Sequence, residues 1–213
     1  RILDNAAGVK VAGTLDLGHA TETTLSGSSG ELSVEGSVVK KVGTENMWIP
    51  ASAMRPSVAA AASDLTDVDS GNNDVTIPVI DFDGGSSDEN ASFNVAMPKS
   101  WNAGTVTAQF YWTNSNTNSG NVVWNLAGVT ATDSSVLNTA YGTPGTVTDA
   151  NITTAGDLMV SGATGNINIT NAADDGITFF RVSRDASDTG TDTYGADARL
   201  IGVKIIYTTS SST

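Results

Sequence analysis

Apolar side chains in the second part of this chain recur at every other position. Val106, Ala108, Phe110 and Trp112 share one face of an extended segment, and Thr105, Thr107, Gln109 and Tyr111 share the other. Val75, Ile77 and Val79 alternate in the same way, as do Phe93, Val95 and Met97, and Val122, Trp124 and Leu126. A period of two is the signature of a strand with one buried face. Residues 157–161, 166–170, 177–184 and 199–208 extend the series, with Ile201, Val203, Ile205 and Tyr207 alternating against Leu200, Gly202, Lys204 and Ile206. Pro78 marks an edge or the end of its strand, because it donates no ladder hydrogen bond. Turn-forming clusters separate the segments, at 114–120, 142–145, 174–176 and 188–195. The run Ser57–Ser63 is read as one or two helical turns or a tight loop. About eight strands with loops of mixed length predict an all-β domain, a jelly-roll-like β-sandwich.

The first 45 residues behave differently. Val9 and Val11, Leu15 and Leu17, and Leu32 and Val34 stand two apart, with glycines at 8, 13, 18, 27, 30, 36 and 43. This stretch has no aromatic residue. Ordering each residue costs roughly 1–2 kcal/mol, which so few aliphatic side chains do not offset within one chain. Either the stretch is a flexible tail, or several copies bury each other's aliphatic rows. The expected organisation is a thin extended stem over 1–45 and a head domain over 46–213. The six aliphatic residues are the expected interface between such copies. The last strand, nearly apolar on both faces, fits a central position or burial against a neighbouring subunit.

Composition supports strands over helices. Charged residues make up 15% of the chain, and 22 glycines with many Ser, Thr, Asn and Asp carry the polar load. The net charge of −13 sets the chain against nucleic-acid phosphates and anionic lipid. No apolar run is long enough to span a membrane, so neither nucleic acid nor membrane insertion is expected. The chain begins at Arg1 without a signal-peptide pattern, which reads as a fragment or a processed product.

Candidate chemistry is sparse. Cysteine is absent and the one histidine, His19, lies in the stem. Together these disfavour histidine- and cysteine-based hydrolases and His/Cys zinc sites, so no enzyme is expected. Asp67, Asp69 and Asp74, around Gly71, have oxygen-ligand spacing for calcium, but they miss the EF-hand pattern, and ordinary turns use the same residues. Otherwise no cofactor is implied. Of four tryptophans, Trp112 and Trp124 fall on buried strand faces; Trp101, at a strand entrance, is the one most open to partial exposure, although a plug at the end of the sandwich is the stronger reading. Trp101, Asn114, Asn116, Asn118, Asp188, Asp192 and Tyr194 are therefore the candidate ligand-binding residues, most of them in two long polar loops. Arg181, Arg184 and Asp185 are expected to alternate out from a buried strand and to form structural salt bridges. Asn-x-Ser/Thr triplets at Asn90, Asn151 and Asn168 carry no weight in so polar a chain.

Longer motifs carry a resemblance. Ala20–Ser26 followed by Gly30–Gly36 is similar to a segment of fibre-like structural proteins of tailed bacteriophages. Glu45–Met54, Phe93–Asn102, Phe180–Asp185 and Ala198–Lys204 resemble a C-terminal domain of phage virion proteins. The resemblance covers about residues 20–207 and supplies no catalytic residues. It implies a head or tail fibre or spike on the exterior of a virion, built as a homotrimer. Its partners would be other capsid or tail proteins, and its trimeric head would attach to a host-surface glycan or protein. A capsid decoration protein that cements the shell, and a stand-alone carbohydrate-binding module, are the alternatives.

Overall fold

The structure is a computed structural model that describes residues 42–69, 73 and 75–210, and three short strands ahead of them. The chain divides into two compact units, Arg1–Lys41 and Val42–Thr213. In the first, β1 (Leu25–Ser28), β2 (Glu31–Val34) and β3 (Ser37–Val38) form a small antiparallel sheet, with Leu25 opposite Val34 and Ser33 opposite Val38. Leu32 and Val34 lie on β2. Val9, Val11, Leu15 and Leu17 lie outside the described residues.

The second unit begins earlier than the sequence suggests. Its first strand, β4 (Thr44–Pro50), already pairs with the last, so Thr44 and Glu45 belong to the head. A short 3-10 turn leads to β5 (Arg55–Pro56), followed by β6 (Thr66–Asp69), β7 (Thr76–Phe82) and β8 (Glu89–Val95). The long strands β9 (Trp101–Asn114) and β10 (Asn121–Ala131) come next, then β11 (Gly145–Ala150), β12 (Met159–Val160) and β13 (Ile169–Thr170). The chain closes with β14 (Ile177–Arg184) and β15 (Ala198–Thr209). Ser57–Ser63 is a loop, tied to β8 by the Ser57 and Ala62 amides, which both donate to the Asn90 carbonyl.

The strands form two sheets, and the fold is the all-β, jelly-roll-like sandwich that the alternation predicts. Sheet I runs β11-β10-β14-β8-β5, with β13 added in parallel to β10; sheet II runs β12-β9-β15-β7-β6, with β4 added to β15. Every other pairing between these strands is antiparallel, and one isolated parallel bridge joins Ala61 to Asn90 of β8. Trp124 is the centre of the core between them. It stacks on Phe110 at 5.3 Å and meets Phe82 and Trp112 edge-on at 5.2 and 6.2 Å. Offset and edge-to-face contacts of this kind add to what burial alone contributes.

One irregularity reshapes the last strand. Leu200 opposes Trp112 on β9 while Gly202 opposes Tyr111, so Ile201 is an extra, unopposed residue. Such a bulge shifts the alternation by one position. Ala198 and Leu200 before it, and Val203, Ile205 and Tyr207 after it, therefore all face the core. The unbroken alternation across 200–207 that the sequence suggests does not hold.

Candidate functional site

Most of the expected ligand residues prove to be internal fastenings. Trp101, a candidate for partial exposure whose stronger reading is a plug at the end of the sandwich, is only 2% exposed and packs in the core. Asn114 is buried: its Nδ2 donates to Asn151 Oδ1 at 2.9 Å and to the Thr154 carbonyl at 2.8 Å, and its Oδ1 accepts from the Gly156 amide. Asn151 Nδ2 in turn donates to the Asn118 carbonyl. The Tyr194 hydroxyl donates to the Asn116 carbonyl at 3.0 Å and accepts from the Asn116 amide at 3.1 Å, while its ring is fully buried. The two polar loops are thus brought together, with the Tyr194 hydroxyl bonded to the Asn116 backbone and the Asn114 side chain fastened to the 151–156 segment. Of the seven, Asn118 and Asp188 are exposed, and their side chains make no hydrogen bond or ion pair among the described residues.

The same strand carries two arginines with opposite fates. Arg184 does not alternate outward; it is fully buried. Its Nε and Nη2 donate to the two oxygens of Asp192 at 3.0 and 2.8 Å. Nη1 donates to the Phe82 and Ala196 carbonyls, and Nη2 also to the Tyr194 carbonyl. All five guanidinium donors are used, the condition for burying such a charge. Asp192 also accepts from the Val123 amide at 2.9 Å. Asp192 is therefore a clasp for the 185–197 loop. Arg181, three residues earlier, lies on the opposite, outward face of β14.

The calcium expectation gains no support. Asp67 and Asp69 are exposed on β6, and Asp74 lies outside the described residues. Among the described residues no three acidic or histidine side chains gather to hold a metal ion.

The outer face of sheet II carries what the loops do not. On β4, Trp48 is 45% exposed, while the other three tryptophans are 2% or less. A side chain at Gly202 of β15 would place its Cβ 2.4 Å from Trp48 Cζ2 and 2.5 Å from Cη2. The indole therefore rests directly on the glycine backbone, and a glycine within a paired strand commonly marks such a close approach. Tyr111, next to Gly202 on β9, meets the indole edge-on at 5.0 Å. Lys204 Nζ sits over the Tyr111 ring at 5.7 Å. Cross-strand register sets Lys204 between Trp48 and Gln109, and Ile206 between Asn46 and Thr107.

The same face continues into a cleft of about 320 Å³ lined by Val68, Ile77, Thr113, Ser115, Gly156 and Arg199 among others. Arg199 stands between Thr113 and Asp81 in register, its Nε 3.6 Å from Asp81 Oδ1. That separation is an ion pair beyond hydrogen-bond reach. Burial raises the Asp81 pKa, and the Arg199 charge only partly opposes it. The face thus offers an aromatic shelf, a lysine, an amide and a polar cleft on rigid strands. Such a mixture binds polar rings by stacking and by hydrogen bonds at their edges. Nothing in it forms a nucleophile–base pair.

No family model matches the chain, and no curated protein matches it in sequence. Solved structures give distant likenesses. One is the CBM22-2 xylan-binding domain of Paenibacillus barcinonensis Xyn10C, at 15% identity and a TM-score of 0.43, covering 73% of this chain and 91% of that one. Another is the CBM36-1 domain of a multidomain xylanase from a Trinervitermes trinervoides hindgut metagenome, at 11% identity and a TM-score of 0.40, covering 76% and 96%. A third is the CBM22-1–GH10 portion of Clostridium thermocellum xylanase 10B, at 13% identity and a TM-score of 0.42; 77% of this chain matches 28% of that one. Likenesses so distant transfer neither a family nor a ligand.

Proposed function

We propose that the head domain is a non-catalytic glycan-binding module, and that its binding surface is the outer face of sheet II. The observation that carries this reading is Trp48, packed against Gly202 and edged by Tyr111, half in solvent on a strand. Tryptophan and tyrosine are enriched among the residues that carry binding energy, and here the two rings stand together on one open face. Gln109, Lys204 and the Arg199 cleft surround it with hydrogen-bonding groups suited to sugar hydroxyls. Because the other tryptophans are buried, iodide-quenchable fluorescence belongs to Trp48. An array of neutral oligosaccharides identifies a ligand, which then shields that fluorescence. Trp48→Ala is expected to weaken binding by about tenfold or more. A hit whose affinity survives both Trp48→Ala and Tyr111→Ala, or an array without hits, overturns the reading.

A second reading concerns where the module works. The head-domain segments that resemble phage virion proteins fall on β4, on the corner between β8 and β9, and on β14 and β15. This favours a fibre or spike head on a virion exterior, where weak glycan sites gain strength from several copies. Its measurement is the mass in solution of the full chain and of residues 42–213. The virion fibre predicts a trimer that weakens on truncation, whereas a monomer in both forms leaves only the binding module.

A further inference from the structure

The opposite face of the sandwich holds a second site. On the outer side of sheet I, cross-strand register places Arg55 of β5 opposite Ser92 of β8, and Ser92 opposite Arg181 of β14. Two arginines thus stand in one row, two strands apart, about 9.5 Å between backbones. The chain has 23 acidic residues and only 10 basic ones, yet no described carboxylate pairs with either arginine. The Arg181 guanidinium lies over the Tyr141 ring at 4.9 Å, and its Nε is shielded from solvent with no hydrogen-bond partner. An orphaned donor of that kind is costly unless something fills it.

Arg181 and Tyr141 border a cavity of about 340 Å³ with Ser57, Asn90 and Ser92 on its wall. Neither serine hydroxyl makes a hydrogen bond among the described residues. Asn90 Nδ2 donates to the Ala60 carbonyl, which turns its Oδ1 free to accept. A planar guanidinium fixed by stacking matches a carboxylate with two parallel hydrogen bonds. Two hydroxyls and an amide oxygen match the hydroxyls of a ring. The volume suits one sugar unit.

We propose that this cavity binds a carboxylated sugar unit of the hexuronate type, with its carboxylate on Arg181 and its ring hydroxyls on Ser57, Ser92 and Asn90. The site is separate from the Trp48 shelf and does not depend on it.

The test uses the full chain, titrated with sodium glucuronate, galacturonate and mannuronate, with acetate and galactose as the carboxylate-only and hydroxyl-only arms. The Arg181 Nε–H resonance reports on the unmodified protein. At least one uronate is expected to move that resonance saturably, at lower concentration than acetate or galactose. Arg181→Met is expected to reduce this affinity at least tenfold, and Arg181→Lys several-fold, with Trp48→Ala leaving it unchanged. An Nε–H signal that no uronate moves overturns the proposal, as does uronate binding that survives Arg181→Met. Galactose or acetate binding as tightly as every uronate also overturns it. Sensitivity to Trp48→Ala would assign the acid to the other face and refute this site alone.

Discussion

Asp192→Ala tests whether the 185–197 loop is held by its buried ion pair. The substitution removes both carboxylate oxygens from Arg184, which is 0% exposed, and one acceptor from the Val123 amide. Three carbonyls still serve Nη1 and Nη2, but Nε and one Nη2 hydrogen are left dry. Breaking a buried pair by removing one partner costs about 3–5 kcal/mol, because the surviving charge is uncompensated. For a domain of this size roughly 2–4 °C is lost per kcal/mol, so the melting temperature is expected to fall by about 6–20 °C. Scanning calorimetry or a circular-dichroism melt measures it. The double variant Arg184→Met with Asp192→Leu removes both charges and is expected to lose less than Asp192→Ala alone. A shift of less than about 2 °C for Asp192→Ala, or a double variant worse than the sum of the singles, would refute the clasp.

Further outcomes follow from single contacts. Gly202→Ala sets a Cβ 2.7 Å from the Ile49 carbonyl as well as into the indole, and is expected to cost about 1–3 kcal/mol and to lower glycan affinity, by melt and titration. Gly142→Ala drives a Cβ to 1.8 Å from the Asn168 carbonyl, a backbone neighbour that cannot swing away, and is expected to cost about 3 kcal/mol in a urea titration. Trp112→Phe removes the 2.7 Å hydrogen bond from Nε1 to Asp149 and is expected to cost about 2 kcal/mol. Burial raises the pKa of both Asp81 and Glu89 above their ordinary 3.8 and 4.5. The folded state then holds protons that the unfolded chain has released, so stability falls as pH rises from those values through the raised ones. Asp81→Asn is expected to flatten that fall in melts taken across the acidic range.

The sandwich was legible because its long strands keep a strict period of two over residues such as Val106–Trp112. What the sequence concealed lies at interruptions of that period. β4 holds Met47, Trp48, Ile49 and Pro50 in a row, which reads as an entrance to the domain and hides a paired strand. β11 offers only Val147 between threonines, too little apolar surface to announce itself. The bulge at Ile201 leaves no compositional mark, so the face of Leu200 could not be read. The site was hidden for a different reason. Long loops rich in Asn and Asp look functional, but here Asn114, Asn116, Asp192 and Tyr194 satisfy buried donors and acceptors. The signal that would have found the shelf is Gly202, a glycine set between Ile201 and Val203 in the most apolar part of β15.

Locking the loops has a consequence for recognition. When loop side chains are consumed in fastening the ends of a sandwich, the groups left over for a partner are those on the outer faces of the sheets. Trp48, Tyr111 and Lys204 on one face, and Arg55, Ser92 and Arg181 on the other, are all held by cross-strand register. Register fixes the spacing of their backbones at the repeat of the sheet, and the ring contacts of Trp48, Tyr111 and Arg181 limit the side-chain freedom that those residues lose when a ligand arrives. On the Trp48 face a pre-set row suits an extended polymer with its own regular repeat, whereas the hollow beside Arg181 is sized for one unit of it. An open face also limits the affinity of any one site, since it leaves much of the ligand in water. A module built this way gains most from repetition along a polymer or across several copies of itself.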